Sequence, residues 1–319
     1  MSDIWYDNFI KILLKRYPKK VQLAQELMDL LCIEREAAYR RLRKDVVFTL
    51  HEIVKIASEW NISLDEVTGV SSGQIHFQMR QMNYVSPPEE EVNFLQYVIQ
   101  SITYLQNFPN TEFMDICNKL PRQLLAHYRY LNQYYLFKWM YQYGNEKEVV
   151  PFSQLIISGE KLKVVEDYCK AIRLVPNSNF IFDRMIFEYL ISDIQYFRSI
   201  RMLTDEDIKF IKQDLNNMLD DLLEIASKGC YPQTQNKVNL YISQLHVDTN
   251  YSYTFSPVAN ICFVHAFEKY EIYTFNTEMA NNFKTWMLLK KRTSTQISEV
   301  DERSRIEFFT KQRKLINEL

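Results

Sequence analysis

Only five glycines occur among the 319 residues of this chain, against a usual share of about 7%. Nucleotide-binding folds need glycine turns so that backbone can approach phosphate, and this scarcity disfavours them. The sequence also lacks a Walker loop, a dinucleotide glycine pattern, an H-E-x-x-H pair and a G-x-S-x-G elbow. The length predicts two domains. Hydrophobic residues at 47% and charged residues at 24% supply a substantial core. The net charge of -2 gives no general attraction to polyanions, so any binding to one must come from a local patch.

Five cysteines (Cys32, Cys117, Cys169, Cys230, Cys262) are widely spaced, with no C-x-x-C pair. They read as apolar filler in a reduced, intracellular protein. The opening "MSDIWYDNF" carries two acids and no basic region before an apolar run, unlike a signal peptide. Charge-free apolar stretches such as "VVPFSQLIISG" (149–159) are too short to span a bilayer. The expected location is the cytoplasm, with no membrane association.

Apolar positions recur at helical spacing over residues 4–15, 20–31 and 34–44. Thr49 and Glu52 form a capping-box pattern before a fourth helix, and "SLDE" (63–66) repeats it for a short fifth one. These make a compact helical domain over residues 1–69. "GVSSGQIHFQMRQMNYVSPPEEE" follows, and its glycines, serines and Pro-Pro pair mark residues 70–91 as a linker. Residues 92–319 then read as a larger helical domain. Its clearest helix is "TDEDIKFIKQDLNNMLDDLLEIASKG", with a Thr204–Asp207 capping box and Gly229 as its stop. Ile208, Ile211, Leu215, Met218, Leu222 and Ile225 form a short heptad seam there, better suited to core packing than to a dimer coiled coil. "VNLYISQLHVDTNYSYTF" and "NICFVHAFEKYEIYTF" are rich in β-branched and aromatic residues and predict strands near 238–275. The expected fold is mostly α: a small N-terminal bundle and a larger helical domain holding a short β-hairpin or small sheet.

No residue pattern specifies a reaction, a cofactor or a metal, and the chain is expected not to be an enzyme. His246 and Asp248 form an H-x-D pair, but no third ligand is spaced to complete a metal site. The basic residues of the tail, "KKR" (290–292) with Arg303, Arg305, Lys311, Arg313 and Lys314, read as a solvated helix surface. The aromatic run "HYRYLNQYYLFKWMYQY" (127–143) fits buried core or a subunit interface. Lining a pocket, it would suit an apolar or planar small molecule or a peptide as effector.

The positive signal is "IEREAAYRRLRKD" (33–45), with five positive and three negative charges. Residues 8–20 add five positive charges and no negative one. On a helix with Ala38 and Leu42 buried against Leu31 and Ile33, the opposite face carries Glu36, Arg40, Arg43 and Lys44. Tyr39 lies between the faces, and Arg35 and Arg41 fall on the flanks. Forked guanidinium groups in such a row can meet guanine edges, with neighbouring cations on phosphates. The bland reading is an exposed helix surface steadied by a Glu36–Arg40 pair.

"LMDLLCIEREAAYRRLRKDVVFTLHEIVKIASEWNISLDEV" resembles the helix-turn-helix of lambda-repressor-like (Xre-type) transcription regulators, over roughly residues 20–68. Leu27, Leu31, Ile33 and Ala38 match its apolar positions, and "NISLDEV" its closing segment. Met28 and Cys32 stand where that family prefers alanine and glycine. Glu34 replaces the usual capping serine or threonine, and Asp45 a glycine that often follows the recognition helix. The resemblance implies base-reading positions at Arg35, Glu36, Tyr39, Arg40 and Arg43. The flanks, Arg35 and Arg41, would hold phosphates, and Lys19 and Lys20 beside the scanning helix are further candidate phosphate contacts. It implies double-stranded DNA as partner, salt-sensitive binding and a homodimer. Two other readings stay open: a docking scaffold that keeps the helix-turn-helix fold, and a ligand-binding protein with its site in the aromatic domain.

Overall fold

The structure, a computed structural model, describes residues 4–17, 19–60, 62, 64, 67, 77–79, 87–144, 149–258, 260–266 and 270–319. The chain divides into two compact units, Met1–Ile75 and His76–Leu319. Most of the expected fifth helix and most of the expected linker lie outside the described residues.

The first unit holds α1 (Ile4–Arg16), α2 (Lys20–Leu31), α3 (Arg35–Leu42) and α4 (Leu50–Glu59). Each supplies an apolar stripe to one core of Tyr6, Phe9, Leu13, Leu23, Leu27, Ala38, Leu42, Phe48, Ile53, Ile56 and Trp60. Tyr6 is the pin: its hydroxyl donates toward the Arg41 and Val46 carbonyls (3.2 and 3.3 Å) and accepts from the Phe48 N–H (3.2 Å). The segment leaving α3 is thereby tied to α1.

The second unit corrects the mostly-α expectation. Among its described residues it builds one eight-stranded mixed sheet: β1 (Gln78–Met79), β2 (Glu112–Cys117), β3 (Asn177–Asp183), β4 (Lys237–Ser243), β5 (Tyr251–Phe255), β6 (Asn260–Ala266), β7 (Tyr270–Thr274) and β8 (Ser294–Gln296). The strand order is β1-β7-β6-β5-β2-β3-β4-β8. β2, β3 and β4 are parallel, and the remaining pairs are antiparallel. This is an α/β architecture with much more than a hairpin. The stretches expected to hold strands, 238–255 and 260–275, each supply two of them. β4 and β5 do not pair with each other: β4 lies beside β3, and β5 beside β2.

Helices supply the other layers: α5 (Pro87–Leu105), α6 (Arg122–Leu125), α7 (Arg129–Tyr143), α8 (Gly159–Ile172), α9 (Ile186–Ser199), α10 (Asp205–Lys228), α11 (Thr277–Arg292) and α12 (Glu302–Asn317). α5 begins at Pro87, inside the span expected as linker. One sheet face offers Phe113, Cys117, Phe180, Phe182, Val238, Leu240 and Ile242 to the large core shared with α5–α10 and α12. The other face offers Met114, Ile116, Ile181, Tyr241 and Tyr253 to Ala280, Phe283 and Met287 of α11. Both faces of the parallel strands are therefore covered, as parallel sheets require. All six positions of the α10 seam are buried in this core, so the heptad serves packing within the chain.

Candidate nucleic-acid interface

α2 ends in a tight turn on Cys32, which holds a left-handed conformation (φ 54°, ψ 45°). A β-carbon there is strained by about 1 kcal/mol, which explains why glycine suits the position. Glu34 begins α3 from extended backbone, and its side chain makes no capping bond. After α3 the left-handed residue is Lys44 (φ 67°), one position before Asp45, the position where the resemblance leads one to look for a glycine. Thr49 and Glu52 complete the expected capping box on α4: the Glu52 N–H meets Thr49 Oγ1 at 3.3 Å, and the Thr49 N–H meets Glu52 Oε2 at 2.8 Å.

Ala38 and Leu42 are buried, which sets the rotation of α3. Arg35, Glu36, Arg40, Arg43 and Lys44 are exposed, and Tyr39 is half-buried. The side chains are not equally available. Arg43 donates to Glu36 (2.7 Å) and to Asp45 (3.0 Å), and Lys44 pairs with Asp7 of α1. Glu36 thus pairs seven residues along the chain with Arg43, in place of the expected Arg40. Arg35 lies over the Tyr39 ring at 5.8 Å. Among the described residues Arg35, Arg40, Lys19 and Lys20 have no ion pair. Lys19 and Lys20 are exposed at the start of α2, where the helix dipole favours an anion.

Arg41 differs from its expected flank role. Its guanidinium makes a bidentate pair with Glu52 at 3.1 and 2.7 Å, and the two side chains are only 15% and 14% exposed. Arg41 therefore locks α3 to α4 and does not face a ligand. A carboxylate already fixed by a capping box, one helix downstream, was the signal in the sequence for this role.

In the larger unit, the histidine of the H-x-D pair turns away from Asp248. His246 Nδ1 lies 3.2 Å from Oδ2 of the buried Asp183, which also accepts from the Val247 and Met185 N–H groups at 2.8 Å each. Among the described residues no cluster of three or more His, Cys, Asp or Glu could hold a metal ion. In the aromatic run, Leu131, Tyr134, Phe137 and Trp139 of α7 are buried, and Phe137 packs edge-on to Phe152 and Phe197. The recess beside it, lined by Phe137, Met140, Tyr141, Val149, Val150 and Leu155, has a volume of about 10 Å³. That is room for about one water. No helix among the described residues is long and apolar enough to cross a membrane. No protein-family profile, curated protein or solved structure matches the chain.

Proposed function

We propose that the protein is a sequence-specific transcription regulator of the cytoplasm that reads double-stranded DNA through α3. The observation that carries this reading is the set of exposed side chains Arg35, Glu36, Arg40 and Arg43, with the half-buried Tyr39, on a short helix and its C-terminal cap. Burial of Ala38 and Leu42 and the Arg41–Glu52 pair hold that helix in one orientation. Arg40 is the foremost base-reading group, since it is exposed and no acid among the described residues engages it. Arg43 must leave Glu36 and Asp45 before it can meet a base edge or a phosphate, which lowers its net gain on binding. Lys19, Lys20 and Lys44 are assigned to phosphates and Arg35 to the groove rim. No catalytic role is assigned, and the larger unit is given the sensing or dimer-forming part.

Selection from a random duplex library at two salt concentrations tests the reading. The expected result is an enriched, two-fold symmetric site whose affinity falls as salt rises. Recovery of no enriched sequence would sink it and favour the docking-scaffold reading.

A further inference from the structure

The sheet face beneath α11 carries polar groups where core residues belong. In register across the strands, Phe255, Glu112, Asn177 and Lys237 form one row. Tyr253, Met114, Asn179 and Asn239 form the next. α11 lays Ala280, Phe283 and Met287 on this face, and its next inward position, four residues on, is Lys291. That lysine belongs to the "KKR" run expected to be solvated, yet it is half-buried. Its ammonium is 2.9 Å from Asn179 Oδ1 and 5.2 Å from the centre of the Tyr241 ring.

Asn179 is fully buried and stands between two opposite charges. Its Nδ2 donates to Glu112 Oε1 at 3.0 Å, and its Oδ1 accepts from Lys291 and, at 3.1 Å, from Asn239 Nδ2. Among the described residues no ion pair joins Glu112 to Lys291, so the two charges are held one amide apart instead of neutralising each other. Lys291 has three donors, and the described residues supply one hydrogen-bond acceptor for them. The Tyr253 hydroxyl is buried without a hydrogen-bond partner. Burial, with Cys262 and Glu112 nearby, pushes that hydroxyl up to about 12, so it stays a proton donor at neutral pH. Burial likewise lowers Lys291, while Glu112 favours its charged form. A half-satisfied polar network in a core is costly, and a bound group that completes it removes the cost.

We propose that this polar patch on the sheet face binds a free α-amino acid, its ammonium on the Glu112 carboxylate and its carboxylate on Lys291 and the Tyr253 hydroxyl. A zwitterion presents its two charges a few bonds apart, matching a carboxylate and an ammonium separated by one amide. Binding stands apart from the DNA reading. Only the further step, that the amino acid is the signal of a regulator, rests on it.

Calorimetric titration of the full-length protein with each proteinogenic L-α-amino acid is the test, followed by the N-acetyl and α-amide derivatives of whichever binds best. At least one free amino acid should bind, and both derivatives should bind about tenfold or more weakly. Glu112→Gln and Lys291→Met should each weaken binding of the parent amino acid by about the same factor. The proposal is overturned if no free amino acid binds, if either derivative binds as tightly as the parent, or if both variants bind like the wild type. Should Lys291→Met fail to fold, the comparison of parent with derivatives on the wild type decides alone. Failure here would leave the duplex selection, which depends on α3, untouched.

Discussion

Arg41 on α3 and Glu52 on α4 share two hydrogen bonds, Nη2 to Oε1 at 2.7 Å and Nε to Oε2 at 3.1 Å. Oε2 of the same glutamate also caps α4 by accepting from the Thr49 N–H. One carboxylate therefore satisfies a helix start and the cation that orients the neighbouring helix. Removing its charge leaves Arg41 partly buried and poorly paired. Glu52→Gln is expected to destabilise the N-terminal unit by about 1–3 kcal/mol. Amide hydrogen exchange in α3 and α4 measures this, and unchanged exchange would show that the pair contributes nothing.

The same pair predicts an acid response. Burial alone would raise the Glu52 carboxyl, but Arg41 and the Thr49 N–H together hold it below its ordinary value of 4.5. A carboxyl depressed in the folded state adds stability that is complete above its unfolded value and is lost as pH falls through the folded one. The stability gap between wild type and Glu52→Gln should stay constant above pH 4.5 and close below it. Melting midpoints over a pH series check this, and a gap independent of pH would refute the assignment.

Cys32 carries the turn between α2 and α3 at φ 54°, which favours glycine. Cys32→Gly relieves the strained β-carbon and gives back part of the gain through a more flexible unfolded chain. A net gain of about 0.5–1 kcal/mol is expected in urea unfolding. A loss of stability would mean that the cysteine side chain, exposed here, does more than occupy the turn.

The N-terminal unit was legible because its helices are local. Ala38 and Leu42 set the phase of α3 from spacing alone, and the Thr49–Glu52 box is written in four residues. The sheet was not legible for the opposite reason. "EFMDIC" and "NSNFIFD" are buried along nearly their whole length, so neither shows the two-residue alternation that marks a half-exposed strand. Their partners are distant in sequence: Glu112 pairs with Asn177, and Asn177 with Lys237. At the candidate site the row of cations was legible and their partners were not. That Lys44 meets Asp7 and Arg41 meets Glu52 depends on how three helices cross. Lys291 was hidden likewise, because a basic run at a helix end reads as solvated until the helix has a sheet beneath it.

Gln312 of α12 is fully buried, and neither its amide nitrogen nor its amide oxygen has a hydrogen-bond partner among the described residues. A buried amide in that state costs about 1–3 kcal/mol, and methionine has a similar shape without the polar atoms. Gln312→Met is expected to raise the stability of the larger unit by about 1–2 kcal/mol in denaturant unfolding. A destabilised variant would show that the amide has a partner and that α12 packs differently from this arrangement.

The cations on α3 and at the start of α2 should separate by their present engagements. Arg40, exposed and without an ion pair among the described residues, loses only water on meeting a base edge, so Arg40→Ala should weaken the selected site by about 1–3 kcal/mol and relax the preference at one position. Arg43 exchanges its bonds to Glu36 and Asp45 for new ones, so Arg43→Ala should cost less than Arg40→Ala. Lys19→Ala should weaken binding about equally on all sequences and lower the salt slope by about 1. Titrations of the selected and a scrambled duplex at several salt concentrations give all three numbers. If Arg40→Ala lowers affinity equally for both duplexes, Arg40 contacts phosphate and the base-reading assignment on α3 is wrong.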